Sequence, residues 1–127
     1  MKLAQIRLVT HDVPRLTRFY AAVTGMTPDG NERYVEFLGP EPVLAISSQP
    51  MIDLHHRGAT IPGINRALIL DFEVANVDAE RERLRAIVRD IVMEPTTQSW
   101  GNRSMLFRDP DGNLINMFTP AEALAKA

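Results

Sequence analysis

Apolar and polar positions alternate along the chain in short blocks, and two of the intervals switch to a helical period. Leu3 to Val9 alternates apolar Leu3, Ile6 and Leu8 with Gln5, Arg7 and Val9, which predicts a strand. Asp12 then stands as a helix N-cap, with Pro14 in the first turn where its missing N–H leaves no bond unmade. Leu16, Phe19, Tyr20 and Val23 make one apolar stripe, most simply core, and Gly25 ends the helix. Pro28-Asp29-Gly30-Asn31 reads as a turn, and Tyr34 to Leu38 and Val43 to Ser47 read as strands parted by Gly39-Pro40-Glu41-Pro42. Gln49 to Arg66, with two prolines and two glycines, reads as a linker. Ala67 to Val74 is a strand, and Asn76 caps a second helix that has Asp78 and Glu80 in its positive first turn and buries Val77, Leu84, Ile87 and Val88. Ile91 to Met93 is a short strand, and Ala121 to Ala127 a short helical or frayed tail.

Between these last two lies the strongest local signal, a hairpin with Met105 to Phe107 and Leu114 to Phe118 as its apolar arms. Its turn is Asp109-Pro110-Asp111-Gly112. Pro110 presets φ, Asp109 can accept from its own downstream backbone, and Gly112 tolerates positive φ.

The halves repeat each other. A shift of 64 residues lays Gln5-Ile6-Arg7-Leu8 on Ile69-Leu70-Asp71-Phe72 and Asp12-Val13 on Asn76-Val77. A shift of 70 lays Arg33, Phe37 and Pro40 on Arg103, Phe107 and Pro110, and one residue more lays Val43-Leu44-Ala45 on Leu114-Ile115-Asn116. The predicted fold is therefore α+β: two βαβββ modules related by a pseudo-twofold, with helices outside and a concave sheet cavity inside. Residues 1–127 form one domain, with module 1 at about 1–50, a linker at about 51–66 and module 2 at about 67–120.

Composition narrows the function classes. A net charge of −2 gives no basic footprint for nucleic acid or an anionic membrane, and the absence of cysteine removes disulfides, thiolate metal sites and thiol nucleophiles. No apolar run has the length of a signal peptide core or a membrane span, so a soluble, cytoplasmic protein is expected. No Ser-His-Asp set, close pair of inward carboxylates, GxGxxG or Walker spacing is visible. His11 precedes a helix cap as a loop residue. Adjacent His55 and His56 point apart in an extended segment, with only Asp53 near them, which makes a poor metal site.

Three stretches carry a family likeness: Trp100-Gly101 followed by Arg108-Asp109-Pro110-Asp111-Gly112-Asn113-Leu114-Ile115; Val9-Thr10-His11-Asp12-Val13 leading to Phe19-Tyr20 and Gly25-Met26; and Phe72-Glu73-Val74 with Val77-Asp78-Ala79. With these the chain resembles the vicinal oxygen chelate superfamily, which includes glyoxalase I, extradiol dioxygenases and the fosfomycin and bleomycin resistance proteins. In metal-dependent members, inward residues of four strands hold a divalent cation. The resemblance puts those positions at Gln5, Ala45, Ile69 and Asn116. That quartet has no imidazole and no carboxylate, and two members have no donor atom, so no metal and no cofactor is expected.

The candidate ligand-binding residues are Gln5, Arg7, Asp71, Trp100, Arg103 and Asn116; no catalytic residue is assigned. Arg7 shares a face with Gln5 by the two-residue period, and its repeat mate is Asp71. The two either satisfy each other as a partly buried pair or leave Arg7 free for an anionic or carbonyl group. Trp100, the only tryptophan, is either a stacking platform or ordinary packing, and Arg103 faces either pocket or solvent. The expected function is metal-independent binding of a small organic molecule, aromatic or anionic, by a protein that the resemblance makes a homodimer. The alternatives are a metal-dependent lyase, isomerase or dioxygenase of the same superfamily with unrecognised ligands, and an interaction protein whose cavity is closed by Phe118, Met105 and Trp100.

Overall fold

The computed structural model describes residues 1–63 and 65–125. It falls into two compact units, Met1–Gly63 and Ile64–Ala127, each built around one four-stranded mixed sheet. Module 1 comprises β1 (Gln5–Thr10), α1 (Val13–Thr24), β2 (Thr27–Gly30), β3 (Tyr34–Leu38), β4 (Val43–Ser48) and α2 (Gln49–His56). Module 2 comprises β5 (Ile69–Glu73), α3 (Val77–Arg83), β6 (Ile91–Thr97), β7 (Arg103–Arg108), β8 (Leu114–Thr119) and α4 (Ala121–Ala125). Strand order is β1-β4-β3-β2 in one sheet and β5-β8-β7-β6 in the other, the same βαβββ path twice.

The register reproduces the sequence repeat residue for residue. Parallel β1 and β4 place Arg7 beside Ala45, and parallel β5 and β8 place Asp71 beside Asn116. On the other side Glu36 neighbours Ala45 and Leu106 neighbours Asn116. Shifts of 64, 70 and 71 residues thus connect equivalent places in the two sheets.

Each sheet carries a helix on one face, and the pleat divides every strand accordingly. Asp12 Oδ1 accepts from Arg15 N at 3.0 Å to cap α1, and Gly25 ends it at φ 72°, where a Cβ is disfavoured. The buried stripe is Val13, Leu16, Tyr20 and Val23. Tyr20 meets Phe37 edge to face at 6.4 Å, which fixes Phe37, and with it Val35 and Ile46, on the α1 face. In module 2 the Thr119 hydroxyl accepts from Val77 N at 3.0 Å, tying the start of α3 to β8, while Met105, Phe107, Ile115 and Met117 fill the core beneath.

Several elements depart from the sequence reading. Thr27 to Gly30 is a strand paired with β3, and the turn comes one step later, where Asn31 Oδ1 accepts from Arg33 N and Tyr34 N. The first half of the expected linker is α2. Ser48 Oγ accepts from Met51 N, and Pro50 sits in the first turn. His55 and His56 therefore lie on a last helical turn and not on an extended arm. β1 and β5 are shorter at their starts than expected. β6 runs on to Thr97 as an edge strand, with register shifts between Ile91 and Thr96 that accommodate Pro95. The tail is helical to Ala125; positions 126 and 127, and position 64 of the expected linker, lie outside the described residues.

The hairpin turn forms as its residues dictate. Gly112 N donates to Asp109 O at 3.0 Å, and Gly112 has φ 91°. The Asp109 carboxylate, 5% exposed, accepts from Asp111 N, Asn113 N and Asn113 Nδ2 at 2.8 to 3.0 Å. Replacing Asp109 with Ala strands these donors in a buried place, and a loss of about 3 kcal/mol in urea unfolding is expected. A loss below about 1 kcal/mol would show that water replaces the carboxylate there.

Candidate functional site

The face of module 2 away from α3 holds a recess. Parity puts Asp71 of β5 there, with Asn116 and Phe118 of β8 and Ser104 and Leu106 of β7. Trp100 and Asn102 come from the β6–β7 turn, where Gln98 N donates to Asn102 O at 2.7 Å and Gly101 adopts φ 101°. A Cβ on Gly101 would meet the Ala121 Cβ at 2.8 Å, so glycine is required by both dihedral and space.

Asp71, Trp100, Asn102, Ser104, Asn116 and Phe118 line a cavity of about 270 Å³. Asn116 Nδ2 donates to Asp71 Oδ1 at 2.9 Å, which orients the amide and leaves Asp71 Oδ2 and Asn116 Oδ1 as acceptors. Ser104 Oγ accepts from Gln98 Nε2 at 3.1 Å, and Asn102 Oδ1 from Ala121 N at 3.0 Å. Trp100 is 68% exposed, and it and Phe118 are the aromatic residues of the lining. The lining has one carboxylate, two amides, a hydroxyl and two aromatic rings, and no cation. Met105 is absent from it: parity sends that side chain to the α3 face, where it is fully buried.

The face of module 1 away from α1 carries a second polar set. Arg7 Nη1 lies 3.0 Å from His56 Nε2, and since a guanidinium only donates, the imidazole nitrogen is the acceptor of this bond. Gln5 Nε2 donates to Tyr34 Oη at 2.9 Å, and Tyr34 Oη donates to Glu36 Oε1 at 2.7 Å. The Tyr34 phenol is pushed up from its ordinary value, first by burial and then by its bond to Glu36, so it stays protonated and donating.

Of the six sequence candidates, three converge: Asp71, Trp100 and Asn116 line the module 2 cavity. Gln5 and Arg7 belong to the module 1 set. Arg7 and Asp71 each have a hydrogen-bond partner within their own module, His56 and Asn116. Arg103 belongs to neither of these two polar sets. Its register with Thr119 puts it on the α3 side, where Nε and Nη2 grip Asp78 at 2.7 and 2.9 Å and Nη1 reaches Thr97 Oγ1. The sequence candidates lack Asn102 and Ser104, and in module 1 Tyr34 and Glu36; Phe118 enters there only as closing the cavity, and His56 only as a poor metal ligand. The hairpin register that follows from the Asp109–Gly112 turn sets Ser104 opposite Phe118, so those two were derivable.

The four places at which related folds hold a divalent cation do not fit one here. Ala45 and Ile69 end in hydrocarbon, and the Gln5 amide is engaged by Tyr34. Among the described residues no three His, Cys, Asp or Glu side chains gather to hold a metal ion. Two neutral amides do not offset the dehydration of a hard dication.

The sequence profile of the Glyoxalase/Bleomycin resistance protein/Dioxygenase superfamily matches residues 2–117. The chain belongs to that superfamily. It is 26% identical over 125 residues to the uncharacterized protein YraH of Bacillus subtilis (strain 168), covering 93% of this chain and 98% of YraH. Its fold superposes on a glyoxalase/bleomycin resistance protein/dioxygenase from Nocardioides with a TM-score of 0.80 at 24% identity, over 96% of this chain and 85% of that one. A protein of unknown function from Agrobacterium tumefaciens str. C58 gives a TM-score of 0.79 at 25% identity, over 94% of both chains. Among the described residues no helix is long and apolar enough to cross a membrane.

The Arg103–Asp78 pair gives a test of that placement. Its bond to Arg103, ahead of the opposing effect of burial, holds Asp78 below the ordinary carboxylate range. A depressed folded value means that the pair stabilises at pH above the unfolded aspartate value and that this is lost as pH falls through the folded one. Both partners are partly exposed, so Arg103→Met is expected to cost under about 1 kcal/mol at pH 7. The difference should vanish in acid, and ligand affinity at the module 2 cavity should not change. A tenfold loss of affinity in this variant would instead put Arg103 in the site.

Proposed function

We propose that this superfamily member is a metal-independent binding protein for a small organic molecule, and that the cavity of module 2 takes the molecule's aromatic ring. The observation that carries this is the lining itself: the aromatic side chains of Trp100 and Phe118 line the cavity together with the acceptors of the Asp71–Asn116 pair. A carboxylate with no neighbouring cation in the lining selects a donor-bearing or cationic ring and disfavours an anionic one. Of the two ligand types expected from sequence, this cavity favours the aromatic.

The donor set also supports the metal-independent reading over a lyase, isomerase or dioxygenase. Binding then rests on stacking and hydrogen bonds and needs no group of shifted acidity. The family name covers both enzymes and resistance proteins, and fold alone does not choose between them.

Trp100, the only tryptophan, reports directly on the cavity by its fluorescence. Titration with benzamidine is expected to quench it saturably, and benzoate, a ring of the same size with the opposite charge, is expected to have little effect. Asp71→Asn should weaken benzamidine binding at least about tenfold, as for a lost charge-assisted hydrogen bond. Equal responses to both probes, or an unchanged Asp71→Asn, would sink the assignment of the cavity. A tightly held divalent ion at about one per chain, whose removal abolishes binding, would sink metal independence.

A further inference from the structure

The polar set on module 1 is unused by the cavity of module 2. In it, Arg7 of β1 and Glu36 of β3 lie on one row of the sheet, on either side of Ala45 of β4. Their Cα atoms are therefore two strand spacings apart, about 10 Å. Strand side chains stand roughly perpendicular to the sheet, so this Cα spacing sets the scale of the gap that the two charged heads can span. No ion pair joins Arg7 to a carboxylate among the described residues.

Both charges are held in place by neighbours. His56 accepts from Arg7 Nη1 and leaves the Nε–Nη2 edge of the guanidinium as a fork suited to a carboxylate. The Tyr34 hydroxyl occupies Glu36 Oε1 and leaves Oε2 as an acceptor. Tyr34 is in register with Ser47, and Gln5 with Val43. The phenol that reaches Gln5 therefore crosses the row of Ala45 and covers that fully buried methyl. The floor between the two charges is thus the Tyr34 phenol, which lies within the field of both Arg7 and Glu36.

A cation and an anion fixed at this spacing complement a molecule with the reverse order of charge. Hydrogen bonds of about 2.8 Å at each end leave roughly 4 Å between them. That is the scale of the ammonium-to-carboxylate separation in a short amino acid. We propose that this face of module 1 binds a small zwitterion of the amino carboxylate class, with Arg7 taking its carboxylate and Glu36 its ammonium. A lone anion would gain Arg7 and face Glu36, and a lone cation would meet the opposite; only the zwitterion satisfies both ends. His56 is the positioning residue for Arg7. The proposal stands apart from the aromatic cavity, since it uses none of its residues.

The test is a chemical-shift titration of the backbone amides of the whole chain with β-alanine, beside acetate and methylammonium. Saturable shifts at β1, β3, β4 and the end of α2 are expected, with β-alanine bound at least about tenfold tighter than either singly charged probe. Arg7→Met should weaken β-alanine about tenfold or more, and so should Glu36→Gln, which keeps an acceptor for Tyr34. His56→Leu should weaken it, and His56→Gln, which restores an acceptor for Arg7, should recover it. Unchanged dispersion of amides elsewhere shows that each variant is folded. The proposal is overturned if acetate binds as tightly as β-alanine, if Glu36→Gln binds like the parent, or if no shift saturates.

Discussion

The constraint on which the rest depends is the pleat of two sheets that each carry a helix on one face. Once α1 covers Val35, Phe37 and Ile46, the alternate positions of the same strands are committed to the opposite face. The parallel pairing of β1 with β4, and of β5 with β8, then decides which residues become neighbours there. A slip of one residue would exchange Asn116 for Ile115 and bury an amide under α3. The core therefore fixes the site, because Met105, Phe107, Ile115 and Met117 cannot leave the α3 face without exposing apolar surface.

Much of this was legible in the sequence because its signals are local. Asp12 with Pro14, Asn76 with Asp78, and Asp109 with Gly112 each specify a cap or turn within four residues, and each forms as its side chains dictate. The repeat was legible because parity is kept between the halves of one chain although the second turn is one residue longer, and the register of both sheets agrees with it. What was lost is instructive. Ser48-Gln49-Pro50 is the same cap-and-proline signal as Asp12-Val13-Pro14, yet its helix has a weaker apolar stripe, with Ile52 its only buried residue. The prolines and glycines around it outweighed the cap. With α2 unread, His56 could not be set beside Arg7.

Arg103 shows a different limit. Position in a strand gives parity only relative to a neighbour whose face is known. Counting back from Asn116 across the turn puts Leu106 and Ser104 on the cavity side and Arg103 with Asp78 of α3. The count needs the turn length, which Gly112 supplies. Trp100 and Asn102 lie in a loop, beyond the reach of any period. Their convergence on Asp71 depends on the Gln98–Asn102 turn and on the glycine between them.

The duplicated backbone carries two unlike chemistries. Equivalent places hold Arg7, Ala45 and Glu36 in one sheet and Asp71, Asn116 and Leu106 in the other. The first row alternates cation, methyl and anion. The second sets an acid against an amide with hydrocarbon beyond. Neither row assembles the oxygen and nitrogen donors that a divalent ion requires: the first has a methyl between its two charges, and the second has an acid and an amide with Leu106 beyond. In each sheet the polar groups are instead spent on one another, Gln5 on Tyr34 and Asn116 on Asp71, in pairs that orient them without saturating them. A side chain held by one bond and left with an unused acceptor is suited to recognising a ligand, since its rotamer is already fixed before the ligand arrives. The fold is that of the superfamily, and what the residues at those places do is a property of the sites and not of the fold.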